Sequence, residues 1–142
     1  MTIRREVGAH FEVRLHPHVV IKQPRHVGTP DEIGRLVVIQ QSLADIDGVP
    51  WAIYDEPAGV IVEERGPGDT LRRLNTRITG EQRKHVRRRE REVLGLIEER
   101  GLILRDRTPS NILFDPETST VTVIDFVEVY RVGEKRQAWR QP

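Results

Sequence analysis

The chain contains no cysteine. That absence excludes a thiol nucleophile, a disulfide framework, an iron–sulfur cluster and any Cys-type zinc site. Aromatic residues are also scarce, at 5%, so a core built on stacked rings is excluded and branched aliphatics must fill the interior. Long apolar runs are missing too: the uninterrupted stretches at 36–39 and 58–62 fall far short of the ~20 residues a membrane span requires. The opening Met1-Thr2-Ile3-Arg4-Arg5-Glu6 has no apolar core of the signal-peptide kind. A soluble, cytoplasmic protein without membrane contact is therefore the expectation.

What is present fits one domain. The chain has 142 residues, enough to bury roughly 68% of the surface its unfolded form exposes, without staples. Charged residues make up 32% of it and the formal net charge is only +1, yet the charges are unevenly placed. Residues 71–91 hold nine Lys or Arg against Glu81 and Glu90, about +7, which leaves about −6 on the remainder.

The first third alternates like strands at 3–7, 11–15 and 19–22, with a turn at His16-Pro17-His18. Thr29-Pro30-Asp31-Glu32 then supplies an N-cap, a proline at the first helical position and a capping-box acid, and Ile33, Leu36, Val37 and Leu43 recur at helical spacing. This predicts a helix over 30–44. Two short strands at 51–54 and 59–64 read as a hairpin, and Gly66-Pro67-Gly68-Asp69 reads as a hinge or linker. A long helix follows the capping box Thr79-Gly80-Glu81-Gln82 and stops before Gly101. Strands at 102–104, 112–114 and 121–124 complete the pattern, the last two joined at Asp115-Pro116-Glu117.

Chemistry concentrates in Leu104-Arg105-Asp106-Arg107-Thr108-Pro109-Ser110-Asn111, followed by Val123-Ile124-Asp125-Phe126. An Asp, an Asn five residues later and a second Asp at the end of an apolar strand suit phosphoryl transfer. One carboxylate orients a hydroxyl and takes its proton, while an Asn and a second carboxylate hold Mg²⁺ against ATP phosphates. Taken alone, Asp106 and Asn111 also read as turn residues that bond nearby backbone, and Lys22 as a solvated edge-strand lysine.

This set resembles the protein-kinase-like superfamily, whose catalytic loop H-R-D-x-x-x-x-N precedes D-F-G. The resemblance implies Asp106 as catalytic base and Asn111 and Asp125 as metal ligands. Val19-Val20-Ile21-Lys22 resembles the V-A-I-K strand, whose lysine touches the ATP phosphates, and Val60 to Gly66 resembles the hinge, with the backbone around Glu63 and Arg65 against adenine. Gly8 falls where the phosphate-covering loop belongs. Leu104 replaces the loop histidine, Val127 replaces the glycine after D-F, and 17 residues follow Asp125, too few for an activation segment and a peptide platform. The nearest likeness is thus to the small atypical kinases of the RIO type and of the KEOPS complex.

The resemblance implies an α+β, minimal protein-kinase-like fold within a single domain. Residues 1–65 would form an N-lobe, a five-stranded antiparallel sheet with one helix. Residues 66–142 would form a reduced C-lobe of one long helix, the catalytic loop and a small hairpin. The implied activity is transfer of the γ-phosphoryl of Mg-ATP to a Ser or Thr hydroxyl. The alternative is a pseudokinase that binds a partner, with or without nucleotide, and does no chemistry. The helix acid expected opposite Lys22 is represented only by Glu32, one turn early and equally suited to capping. A protein substrate or partner subunit, a homo-oligomer, and an RNA contact through Arg83, Arg87 and Arg88 are the expected associations. The last competes with a plainly solvated helix face.

Overall fold

The computed structural model describes residues 4–7, 11–25, 29–105, 107–127 and 129–133, with the backbone alone for 4–7. Within them the chain divides into two compact units. The first takes its described residues from the spans Met1–Ala44 and Pro50–Arg65, the second from Asp45–Val49 and Gly66–Lys135.

In the first unit, strands β1 (Arg4–Val7), β2 (Phe11–Leu15), β3 (Val19–Pro24), β4 (Ala52–Asp55) and β5 (Val60–Glu64) form one antiparallel sheet in the order β1-β2-β3-β5-β4. Helix α1 (Pro30–Ser42) packs against β4. It starts where the sequence signals a start: the Thr29 hydroxyl accepts from the Glu32 amide at 3.3 Å and Pro30 occupies the first turn. Its buried residues, Ile33, Leu36, Val37 and Gln40, follow the three- and four-residue spacing of a single stripe. Ala52 and Ile61, 1% and 3% exposed, are among the most buried residues of the sheet.

The second unit is built on α3 (Gly80–Glu99), which buries Val86, Val93 and Ile97. Its capping box is complete in both directions, from the Gln82 amide to the Thr79 hydroxyl and from the Thr79 amide to the Gln82 side chain. Past its C-terminus Gly101 takes φ +78°, a left-handed stop that glycine adopts without strain. Strand β6 (Asp69–Thr70) pairs with β8 (Ile112–Asp115), which pairs with β9 (Thr120–Val123); separately, β7 (Leu102–Leu104) pairs with β10 (Val129–Arg131). One helical turn, α2 (Leu71–Leu74), leads into a 3-10 turn at Asn75–Arg77. Leu74, Ile78, Val86, Ile112, Phe114 and Val121 form one apolar cluster, with Phe114 fully buried.

Three elements depart from the sequence-based expectation. The stretch 66–69, read as a hinge or linker, does begin where the chain passes from the first unit to the second, but it is packed: a Cβ at Gly66 would meet Thr122 Oγ1 at 2.6 Å, and one at Gly68 would run into the Phe114 carbonyl oxygen. The glycines are there to let β6 approach β8 and β9, not to confer freedom. The second unit is also more than one long helix and a hairpin, since α2 and the β7–β10 pair add to it. Finally, Asp45–Val49 belongs to the second unit, where the Val123 amide donates to the Gly48 carbonyl at 2.8 Å.

Candidate functional site

In the first unit, alternation along β3 puts Val20 and Lys22 on one face, and the register sets them opposite Glu63 and Ile61 of β5. Lys22 Nζ lies 3.0 Å from Glu63 Oε2, and the two side chains are 15% and 3% exposed. Glu63 Oε1 accepts from Gln40 Nε2 at 2.7 Å, and the same amide group donates to the Pro50 carbonyl at 3.1 Å. The result is a shielded Lys22–Glu63–Gln40 cluster in which both carboxylate oxygens have donors. Removing one member would strand a buried polar group.

The carboxylate facing Lys22 is therefore Glu63, from the neighbouring strand. Glu32 remains in the first turn of α1, where its Oε2 is buried without a hydrogen-bond partner. The side chains of Glu63 and Arg65, at the positions where the resemblance implies a hinge backbone against adenine, are engaged within the first unit. The Arg65 amide donates to the His18 carbonyl at 3.1 Å and its guanidinium to the His16 carbonyl at 2.8 Å, so Arg65 fastens the 16–18 turn to the end of β5. Gly8 and Asp106 lie outside the described residues.

In the second unit, the loop after β7 is fastened to the end of β9. Arg107, half-buried, donates to the Ile124 carbonyl at 2.8 Å, to the Asn111 carbonyl, and at 3.4 Å to Glu90 on α3. The Ile124 amide returns a bond to the Asn111 carbonyl at 3.0 Å. Asn111 and Asp125 are thereby brought within one residue of a shared backbone bond. Asp125 takes φ +68°, and its Oδ1 accepts from the Val127 amide at 3.2 Å, an Asx-type turn of the kind that tolerates a left-handed backbone.

An amide oxygen and a carboxylate are hard donors of the kind Mg²⁺ takes, and Mg²⁺ needs few protein ligands because it keeps several waters. Among the described residues no group of three or more His, Cys, Asp or Glu could hold a metal ion. Among the same residues no helix is long and apolar enough to cross a membrane.

Sequence reasoning missed the role of Arg107 and the pairing of Glu63 with Lys22. Arg107 stands inside the motif, but its carbonyl partners are set by tertiary structure. Glu63 carried a signal in its odd position, an acid at the end of an apolar run, which pointed to the hinge and not to Lys22. The basic helix also divides. Arg83 donates to the Asn75 carbonyl, Arg89 pairs with Asp47 and Glu92, and Lys84 lies 3.5 Å from Glu81. Arg83 and Arg87 line a cavity of about 580 Å³ with Arg72, Arg107 and Glu90, whereas Arg88 is outside it. No protein-family model and no curated protein matches the chain.

Proposed function

We propose that the protein is a kinase-like phosphotransferase acting on Mg-ATP and a hydroxyl acceptor. The observation that supports this reading is the backbone bond from Ile124 to Asn111, reinforced by Arg107, which brings the backbone of Asn111 to the residue before Asp125. In this reading Lys22, steadied by Glu63, faces the α- and β-phosphates, and Asn111 with Asp125 holds the metal. Asp106 orients the acceptor hydroxyl, a Ser or Thr side chain of a protein, and takes its proton as the new O–P bond forms and the β–γ bridge breaks. Bound Mg²⁺ would supply charge neutralisation on the phosphates.

A second reading, nucleotide binding without transfer, is favoured by Leu104 and Val127, 6% and 3% exposed. Both are core residues at positions where the resemblance implies a catalytic-loop histidine and a pliant glycine. The deciding experiment measures Mg-ATP affinity by calorimetry and transfer of labelled γ-phosphate to protein acceptors, with Asp125→Asn and Lys22→Met as variants. Mg-dependent binding lost in Asp125→Asn, with label transfer lost in both variants, supports the phosphotransferase. Binding without any transfer selects the second reading, and no binding at millimolar nucleotide overturns both.

A further inference from the structure

We propose that the cavity in the second unit, which shares the 107–109 stretch with the loop carrying Asn111, is a binding site for a small phosphomonoester with an apolar body, whether or not the chain transfers phosphate. Arg72, Arg83, Arg87 and Arg107 contribute four guanidinium groups to its lining, and Glu90 is the single acid among them. That acid is already engaged by Arg107 at 3.4 Å, with both side chains largely buried at 13% and 18% exposure. Arg107 also donates to the Ile124 and Asn111 carbonyls.

The other three arginines have no carboxylate partner among the described residues. Arg72 makes a 3.5 Å contact with the Ser110 hydroxyl, Arg83 donates to the Asn75 carbonyl, and Arg87 has neither a hydrogen bond nor an ion pair. Like charges gathered on one concave wall repel one another, and an anion relieves that repulsion while using the guanidinium forks. A phosphate dianion, with three terminal oxygens, can serve several guanidinium groups at once. A carboxylate has only two oxygens and one charge.

The shape sets the size of the ligand. A cavity of about 580 Å³ is in the range of single small-molecule sites. Leu71, Pro109 and Ile112 supply apolar lining beside the arginines, a surface for a ring or hydrocarbon attached to the phosphate. A long nucleic acid backbone would instead call on the whole basic helix, and Arg88 lies outside the cavity.

The test uses the full chain without ATP or Mg²⁺, so that its outcome does not depend on the proposed phosphotransfer. Calorimetric titration with phenyl phosphate, inorganic phosphate and phenol at low ionic strength should rank them in that order of affinity. Binding should strengthen as pH rises from 5 to 7.5, because the second proton leaves a phosphomonoester near pH ~6 while arginine stays charged. Arg87→Ala, an exposed side chain without a partner, should weaken phenyl phosphate about tenfold, and Arg88→Ala should leave it unchanged. Equal losses in the two variants would identify diffuse attraction to a basic helix and overturn the site. So would the absence of phenyl phosphate binding at millimolar concentration, or a short RNA bound with equal dependence on Arg87 and Arg88.

Discussion

In the first unit Lys22 and Glu63 sit on the sheet face with Gln40 of α1, every charge shielded and partnered. In the second unit Arg72, Arg83 and Arg87 line a cavity without a carboxylate partner among the described residues, in a unit whose interior includes Phe114, Val93, Ile97 and Val123 at 0% exposure. The contrast follows from the cost of desolvating charge. A charge can be buried only if the fold supplies its partner, so the first unit's charges are committed to one another. A charge without a partner stays near water, where an incoming anion can reach it without displacing a partner. Burial therefore marks Lys22 as a rigidly positioned group, whereas Arg72 and Arg87 of the cavity remain exposed.

Substitutions can break this contrast at several strengths. The largest effect is expected at Gly68→Ala, where φ is +87° and the added methyl would meet the Phe114 carbonyl oxygen. We expect a loss above about 4 kcal/mol, beyond the ordinary range for point changes, read by urea unfolding. Near-wild-type stability would mean that β6 is not packed as described.

Glu63→Ala follows, with an expected loss of about 3 kcal/mol because it removes the buried carboxylate that pairs with Lys22 and accepts from Gln40. The double variant Lys22→Met with Glu63→Leu should recover much of that loss, since apolar replacement of a buried pair is tolerated. Full additivity would show that the two groups do not interact. Arg107→Gln should cost about 1–2 kcal/mol and, more tellingly, speed amide hydrogen exchange at Ile124. Unchanged exchange there would remove the argument that Arg107 fastens the loop.

The smallest effect is expected at the Asp45–Arg100 pair, which is bidentate at 2.7 Å on both arms. The hydrogen bonds from Arg100 hold the Asp45 carboxyl below its ordinary value, against a weaker opposing effect of desolvation. A lowered folded-state value stabilises the protein above the unfolded value and loses that stabilisation as pH falls. The gap in Tm between wild type and Asp45→Asn should thus be open at pH 7 and close below about pH 4. High salt should shrink it, because the pair is exposed. A gap that widens on acidification would exclude the pair as its source.

Local grammar made much of the framework legible. Thr29 and Thr79 announce their helices because capping is a matter of three or four consecutive residues. The turn at Asp115-Pro116-Glu117 joins β8 and β9 for the same reason, with Asp115 Oδ1 accepting from the Glu117 amide at 3.0 Å. What stayed hidden depended on partners distant in sequence. The 41-residue separation of Lys22 and Glu63 becomes a contact only through the β3–β5 register. Gly66 and Gly68 read as a break because a breaker and a close approach demand the same residue, and only the neighbouring Thr122 and Phe114 tell them apart. β10 is three residues long, too short for any alternation to register, and its pairing with β7 is what defines it.

The placement of Asp45–Val49 in the second unit also has a consequence for how the protein is made. Ile46 and Val49, each 5% exposed in the finished fold, leave the ribosome well before residues 89, 100 and 123, whose bonds hold Asp47, Asp45 and Gly48. At about 5–20 residues per second, the interval between synthesis of Gly48 and Val123 is about 4–15 s. Until that interval ends, the nascent chain carries Ile46 and Val49 without the full set of neighbours of the finished fold. The second unit therefore cannot be completed from its own contiguous stretch of chain, and vectorial synthesis leaves a seconds-long window in which a chaperone or a like strand can capture residues 45–49.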